Sequence, residues 1–383
     1  VENVTVLSSL EEPSRITAGS MVTSTLIQEG VSVDRGAVVS NSLLMEHSHV
    51  DCNAQLTHSI LGPDSGVGAG ECHHSLVGPF VGFHHQALLI AAIWPLGRGN
   101  VGYGANVGSN HTSRQADQEM WSGEGVFFGL STVIKYPGNY SESPFSVIGA
   151  GSICLPQRVA FPFSLINSSE QGGIEGVRPS LNHLRPGWVL AESMYMVIRN
   201  EEKYRARKKA RRNCVDWAIF RPSTMRLMAD ARARLIVAGN KEKKEYYVGD
   251  RAIPGLGKNY MTEKSRTDGI ATYTLHLHRY ALRGLLTRLD EGLPVEGFPL
   301  LEHDKRLGNT TGGTSVSGPG RLAAPTASVI ETARVLTLSP AGAAGMVGSD
   351  DGGAWELQKA LLMSDFEQGE RNLGGLMGRL VEV

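Results

Sequence analysis

The sequence predicts a mainly β chain: a left-handed parallel β-helix built of hexapeptide repeats, followed by an α-helical C-terminal region. Small hydrophobic residues recur every six positions (Ile27, Val33, Val39, Met45, then Val50 and Leu56), and most are followed four places later by Val31, Ala37, Leu43, Ala54 or Ile60. A longer period of about 16–18 residues sits above this one, because Asn41-Ser42-Leu43-Leu44 is echoed by His58-Ser59-Ile60-Leu61-Gly62 and by His74-Ser75-Leu76-Val77-Gly78. Glycines at 30, 36, 62, 66, 68 and 70 suit tight corners, where positive φ is cheap for glycine. Strands this short cannot bury an apolar face alone, so they stack coil upon coil. Stacking at about 4.8 Å would place Asn41, His58 and His74 in a column on one wall.

Residues 1–166 carry this pattern. The chain opens at Val1 with Val4-Thr5-Val6-Leu7 already strand-like, so an upstream segment is expected. Insertions at 95–100 and 111–125 interrupt the hexads, and insertions in solenoids map to loops. Residues 167–307 read as a helical domain or appendage, beginning with a glycine-rich link. A first helix is expected near Ala191. A second follows Pro222-Ser223, with Ser223 as a capping residue and Met225, Leu227, Met228, Ala231 and Leu235 at helical spacing. A third starts near Thr262 and keeps its period from Ile270 to Leu289. Residues 308–383 read as a Gly/Ser/Thr-rich linker and two C-terminal helices.

Composition narrows the function. A formal net charge of −1 provides no field toward nucleic acid or membrane. No apolar run is long enough for a membrane span, and no signal peptide opens the chain, so a cytoplasmic protein is expected. Cys52, Cys72, Cys154 and Cys214 show no CxxC spacing and read mostly as reduced core thiols.

Eight of the 12 histidines fall within the first 111 residues: His47, His49, His58, His73, His74, His84, His85 and His111. Imidazole is costly inside a narrow β-helix, so these rings belong on outer faces, at corners or at subunit contacts. Neighbours on a strand face opposite ways, so only one member of each pair, His73-His74 or His84-His85, can address a given site. The segment Gly108 to Arg114, with Asp117, Gln118 and Glu119, gathers amide, imidazole, guanidinium and carboxylate groups that a structural turn does not need. The basic run from Lys203 to Arg212 can grip phosphate or RNA, or form a solvated helix face; without interleaved aromatic platforms and at neutral net charge, nucleic acid is disfavoured.

The stretches His84 to Ala91, Gly104 to His111 with Arg114, Asp117 and Glu119, Gly123 to Gly129, Phe161 to Leu165, and Met194 to Tyr204 resemble an uncharacterised family of large bacterial hexapeptide-repeat proteins. Its members are often labelled UDP-N-acetylglucosamine pyrophosphorylase-like. The resemblance implies the β-helix and marks His85, Asn110, His111, Arg114 and Asp117 as site candidates.

The expected function is a hexapeptide-repeat transferase, acyl or sugar-nucleotide-related, acting on a small polar, sugar-linked substrate. It would work as a homo-oligomer, a trimer or a multiple of one, with the site between subunits. His85 or His111 would take a proton from the acceptor, Asn110 would hold the developing oxyanion, and Asp117 would orient His111. Arg114, Glu119 and His84 would bind substrate, and an acyl-CoA would serve as donor. A second expectation is a γ-carbonic-anhydrase-like lyase in which His58, His74 and His85 hold zinc or iron. A third is a non-enzymatic scaffold subunit of a larger assembly.

Overall fold

Stacked apolar positions organise the chain into three parallel sheets. The computed structural model describes residues 1–109 apart from Ala18, 119–169 and 174–290. Its first wall has nine strands, from Thr5–Val6 through Leu43–Leu44 and Leu76–Val77 to Gln157–Arg158. The second begins at Arg15–Ile16 and includes His49–Asp51, Gly66–Gly68 and Gly82–Phe83. The third runs from Met21–Thr23 through Gln55–Thr57 and Glu71–His73 to Ile153–Cys154. Each strand pairs with its counterpart one coil later, as in Val22↔Val39↔Leu56↔Cys72↔Leu89. Ile27, Leu44 and Leu61 from the first wall, and Val33, Val50 and Val67 from the second, complete an interior in which these six are at most 1% exposed. Each large aliphatic chain so buried contributes about 1.5–3 kcal/mol.

The corners differ from the glycine-based expectation. Gly30 and Gly36 take positive φ, but Gly66 and Gly68 lie within a strand, and many corners use other residues in the left-handed region. Ser24, Asn41, His58, His74 and Ala91, with φ between 47° and 49°, form one such column between the third and first walls. Asn41, His58 and His74 therefore sit on an edge of the prism rather than on a wall. The serine after each closes the turn: Ser42, Ser59 and Ser75 donate Oγ–H to the carbonyl two residues back, and each Oγ accepts the backbone N–H one coil on.

The hexad phase also shifts on the first wall. Leu44 is fully buried, Met45 only partly, and Leu43 and Ile60 face outward, because these two-residue strands carry aliphatic side chains on both faces.

The boundary expected at residue 166 is crossed by a sheet. The second wall continues from Leu165–Asn167 into the antiparallel strand Asn182–Arg185, then Asn259–Thr262 and Tyr246–Val248. Val1–Tyr273 accordingly forms one compact unit, and a second begins at Thr274. The helices are α1 (Trp188–Glu192), α2 (Met194–Arg207), α3 (Pro222–Lys241), α4 (Gly249–Ala252) and α5 (Glu263–Asp290). Pro222 opens α3 with Arg221 at the cap, so Ser223 is not the capping residue. At α5 the Thr262 hydroxyl accepts the Ser265 N–H at 3.0 Å. The expected linker and C-terminal helices beyond residue 308 lie outside the described residues. No described helix is long and apolar enough to cross a membrane.

Candidate functional site

The outward face of the second wall changes character coil by coil. His49 is followed in register by Gly66 and Gly82, and Asp51 by Gly68. A Cβ on Gly66 would stand 2.1 Å from His49 Nε2, so only glycine admits the imidazole there. The three glycines form the floor of a recess.

α2 roofs it. The helix turns Val197 and Tyr204 toward the solenoid, where both are buried. Asn200 holds Arg98 reciprocally, accepting Arg98 Nε–H at 3.1 Å and donating to the Arg98 carbonyl at 3.0 Å. The Arg98 guanidinium stacks over Tyr204 and Phe145, while buried Glu124 accepts from both Arg98 and Arg221. Breaking such a buried pair leaves an uncompensated charge, so Arg98 is held where Asn200 of α2 grips it.

Between wall and helix lies a cleft of about 620 Å³. His49, His84 and His85 line one side, Lys203, Arg207 and Lys209 the other, and Phe80 stands between. Partial burial lowers the pKa of His84, and repulsion from His85 and Lys203 adds to it. Desolvation lowers His49 as well; Asp51 opposes the shift, and Lys209 and Arg35 reinforce it. Burial lowers Lys203, helped by Arg207 and Arg199. The cleft thus opposes neutral imidazoles to a row of cations, an arrangement able to hold an anion and accept a proton beside it. Cys52 also lines the cleft, but burial raises its pKa, with Asp51 adding to the shift, so it is not a ready thiolate.

The basic run has two parts: Lys203, Arg205 and Arg207 are exposed on α2, whereas the residues beyond are tied to the solenoid. α2 ends at Arg207, and the chain then crosses a ladder of acids. Asp64 accepts the Lys209 and Ala210 N–H groups, Glu46 those of Arg211 and Arg212, while the Arg211 and Arg212 side chains pair with Glu12 and Glu29.

Of the sequence-derived candidates, His84 and His85 both line the cleft. They occupy a corner rather than a strand, so the pleat does not separate them, and their rings lie 6.2 Å apart. His58 and His74 stack at 4.8 Å on the edge between the third and first walls, whereas His85 is on the edge between the second and third. The proposed metal set is therefore not brought together within one chain, and among the described residues no three His, Cys, Asp or Glu side chains form a metal-binding group. Asn110, His111, Arg114 and Asp117 lie outside the described residues. Glu119 is exposed at the entry to the strand Met120–Trp121 on the first wall, away from the cleft. His49 and Lys203 were visible in the sequence only as members of larger clusters. The sharper signal was a histidine followed one and two coils later by glycine, at 49, 66 and 82.

No family model matches the chain. An uncharacterised protein of Treponema pallidum (strain Nichols) is 37% identical over 237 residues, covering 61% of this chain. This chain spans 32% of that relative's length. Among solved structures, a hexapeptide transferase family protein from Anaplasma phagocytophilum is 13% identical, with a TM-score of 0.20, over 53% of this chain and 96% of that one. No site residue is transferred from either.

Proposed function

We propose that the chain is a hexapeptide-repeat transferase acting on a small, polar, sugar-linked substrate that carries an anionic group, with its chemistry between the second wall and α2. One observation carries the reading: across the cleft, the neutral imidazole of His84, with His85 beside it, faces the cations of α2. Lys203 and Arg207 would hold the anionic group. His84 would accept the proton of the acceptor hydroxyl or amine as it attacks the carbonyl of an activated acyl donor such as a coenzyme A thioester, and would return that proton to the leaving thiolate. Asn110, His111, Arg114 and Asp117 keep their proposed roles as oxyanion donor, second base, anion grip and orienting carboxylate. A homo-oligomer, trimeric or a multiple, would form through the first wall.

The test is transfer by purified protein to amino and hydroxy sugar phosphates from acyl thioesters. His84→Ala is expected to lower kcat/KM about 100-fold or more at retained fold. Because the His84 pKa is depressed, the base form prevails at neutral pH. The rate should fall only as pH drops below the ordinary value of 6.5, and His84→Ala should abolish that limb. Full activity in both His84→Ala and His85→Ala would remove the chemistry from this cleft, and loss confined to His111→Ala would move it to the insertion.

A further inference from the structure

The cleft is one part of a longer groove. His49, Gly66, Gly82, Asn100, Phe127 and Val147 follow one another in register on the second wall, five coil steps that span about 24 Å at ~4.8 Å each. A second cavity of about 310 Å³ continues the first, with which it shares Phe80 and Lys203. Its lining joins apolar groups, Phe127, Phe145 and Val147 from the solenoid, Val189 from α1, and Met196 and Val197 from α2, to the polar side chains of Arg98, Asn100, Arg199 and Asn200.

Several cations of this region are already engaged. Arg98 and Arg221 share Glu124, Arg211 pairs with Glu12, Arg212 pairs with Glu29, and Arg205 stacks on Trp217. Arg199, Lys203 and Arg207, spaced four apart on the face of α2 that lines the two cavities, make no carboxylate ion pair among the described residues. Like charges four residues apart on a helix repel. Lys208 and Lys209 also lack a carboxylate partner among the described residues, but Arg199, Lys203 and Arg207 stand in a row along the groove, which leaves room for an anion. The central cation, Lys203, lies where the two cavities meet, with its Nζ 5.8 Å from the centre of the Phe80 ring.

We infer that the groove takes one elongated ligand: a phosphate-type dianion at Lys203 with Arg199 and Arg207, and an uncharged, largely apolar ring or chain seated against Phe127, Val147 and Met196. This rests on the proposed anion site but not on the proposed catalysis. The apolar part can come from a nucleoside or from an aliphatic alcohol, and the two are separable by binding.

The full chain is titrated calorimetrically with inorganic phosphate, a nucleoside diphosphate and decyl phosphate, the last below its aggregation concentration. At least one tailed ligand should bind tenfold or more tighter than inorganic phosphate; the tighter of the two identifies the tail as ring or chain. Lys203→Gln should weaken that ligand at least tenfold. Met196 is 36% exposed, so Met196→Glu is expected to fold, and it should weaken the tailed ligand while leaving inorganic phosphate unchanged; Met196→Ala serves if it does not fold. Equal affinity for tailed and untailed phosphate, binding of none of the three, or indifference to both Met196 variants overturns the inference. Tight tailed binding without transfer would sink the catalytic reading alone, whereas transfer to an untailed sugar phosphate with no gain from a tail would sink this one alone.

Discussion

At Gly66 a single missing methyl group makes room for an imidazole ring. The imidazole of His49 occupies the place a side chain would take, so Gly66→Ala forces either the ring or the strand to move. Because the His49 ring is exposed and can swing aside, we expect a loss of at most about 1 kcal/mol by denaturant unfolding. His49→Ala in the same chain should recover most of it, and an unrecovered double variant would show that the strain lies in the backbone. Other residue-scale features were only partly legible. The Asn-Ser and His-Ser echoes encode a left-handed corner residue followed by a bridging hydroxyl, a geometry that hydrophobic periodicity cannot reveal. On the first wall both residues of Leu43–Leu44 and Ile60–Leu61 are aliphatic, so the hexad count alone cannot decide which one points inward, and it fell on Met45 instead of Leu44.

Among the elements, the segment after α2 shows how charge replaces periodicity. Its cations read as a surface feature because the acids that receive them lie more than 140 residues away in sequence. The Glu46 carboxylate is 5% exposed and accepts backbone N–H groups of Arg211 and Arg212, the latter at 3.0 Å. Glu46→Ala should therefore release the segment, at a cost of about 1–3 kcal/mol for donors left without their acceptor. Tryptic cleavage after Lys208, Lys209, Arg211 and Arg212 is expected to accelerate while the β signal in circular dichroism is kept; an unchanged cleavage rate would mean that Glu12, Glu29 and Asp64 suffice. Lys209 belongs to both this segment and the cleft, so the anchoring and the candidate site share a residue. The presence of α3 and α5 was legible from their apolar spacing, since Met225, Met228, Ala231 and Leu235 of the one and Tyr273, Leu277 and Ala281 of the other are buried. The roof formed by α2 was not, since it is fastened by Asn200, Arg98 and Glu124, polar contacts that leave no period.

For the molecule as a whole, the first wall presents a ladder of outward aliphatic side chains. Leu26, Ile60 and Leu76 are each 38% exposed and Trp121 is 37% exposed, aligned with Leu43 and Ile93 across successive coils. A continuous apolar stripe of this kind is unusual on a monomer. Under the proposed self-association, Leu76→Lys should convert an oligomer to a monomer in light scattering at unchanged secondary structure, and a monomeric parent chain would refute that assembly. The stacking of coils was the most legible feature in the sequence, because every coil repeats the same burial problem. The continuation of the second wall into strands at 182–185, 259–262 and 246–248 was hidden, since each is a single short strand without a repeat.

The acids beneath the extended segment stand at 12, 29, 46 and 64, one per coil, while the four residues that meet them, 209–212, are consecutive. The arrangement works as a ruler. Deleting one complete coil between Glu12 and Asp64 would preserve every interior contact pattern and yet misalign all the marks beyond the cut, so the repeat number in this stretch is tied to the length of a segment far downstream. Gain or loss of coils, which solenoids otherwise tolerate, should be confined here to the portion that the ruler does not measure.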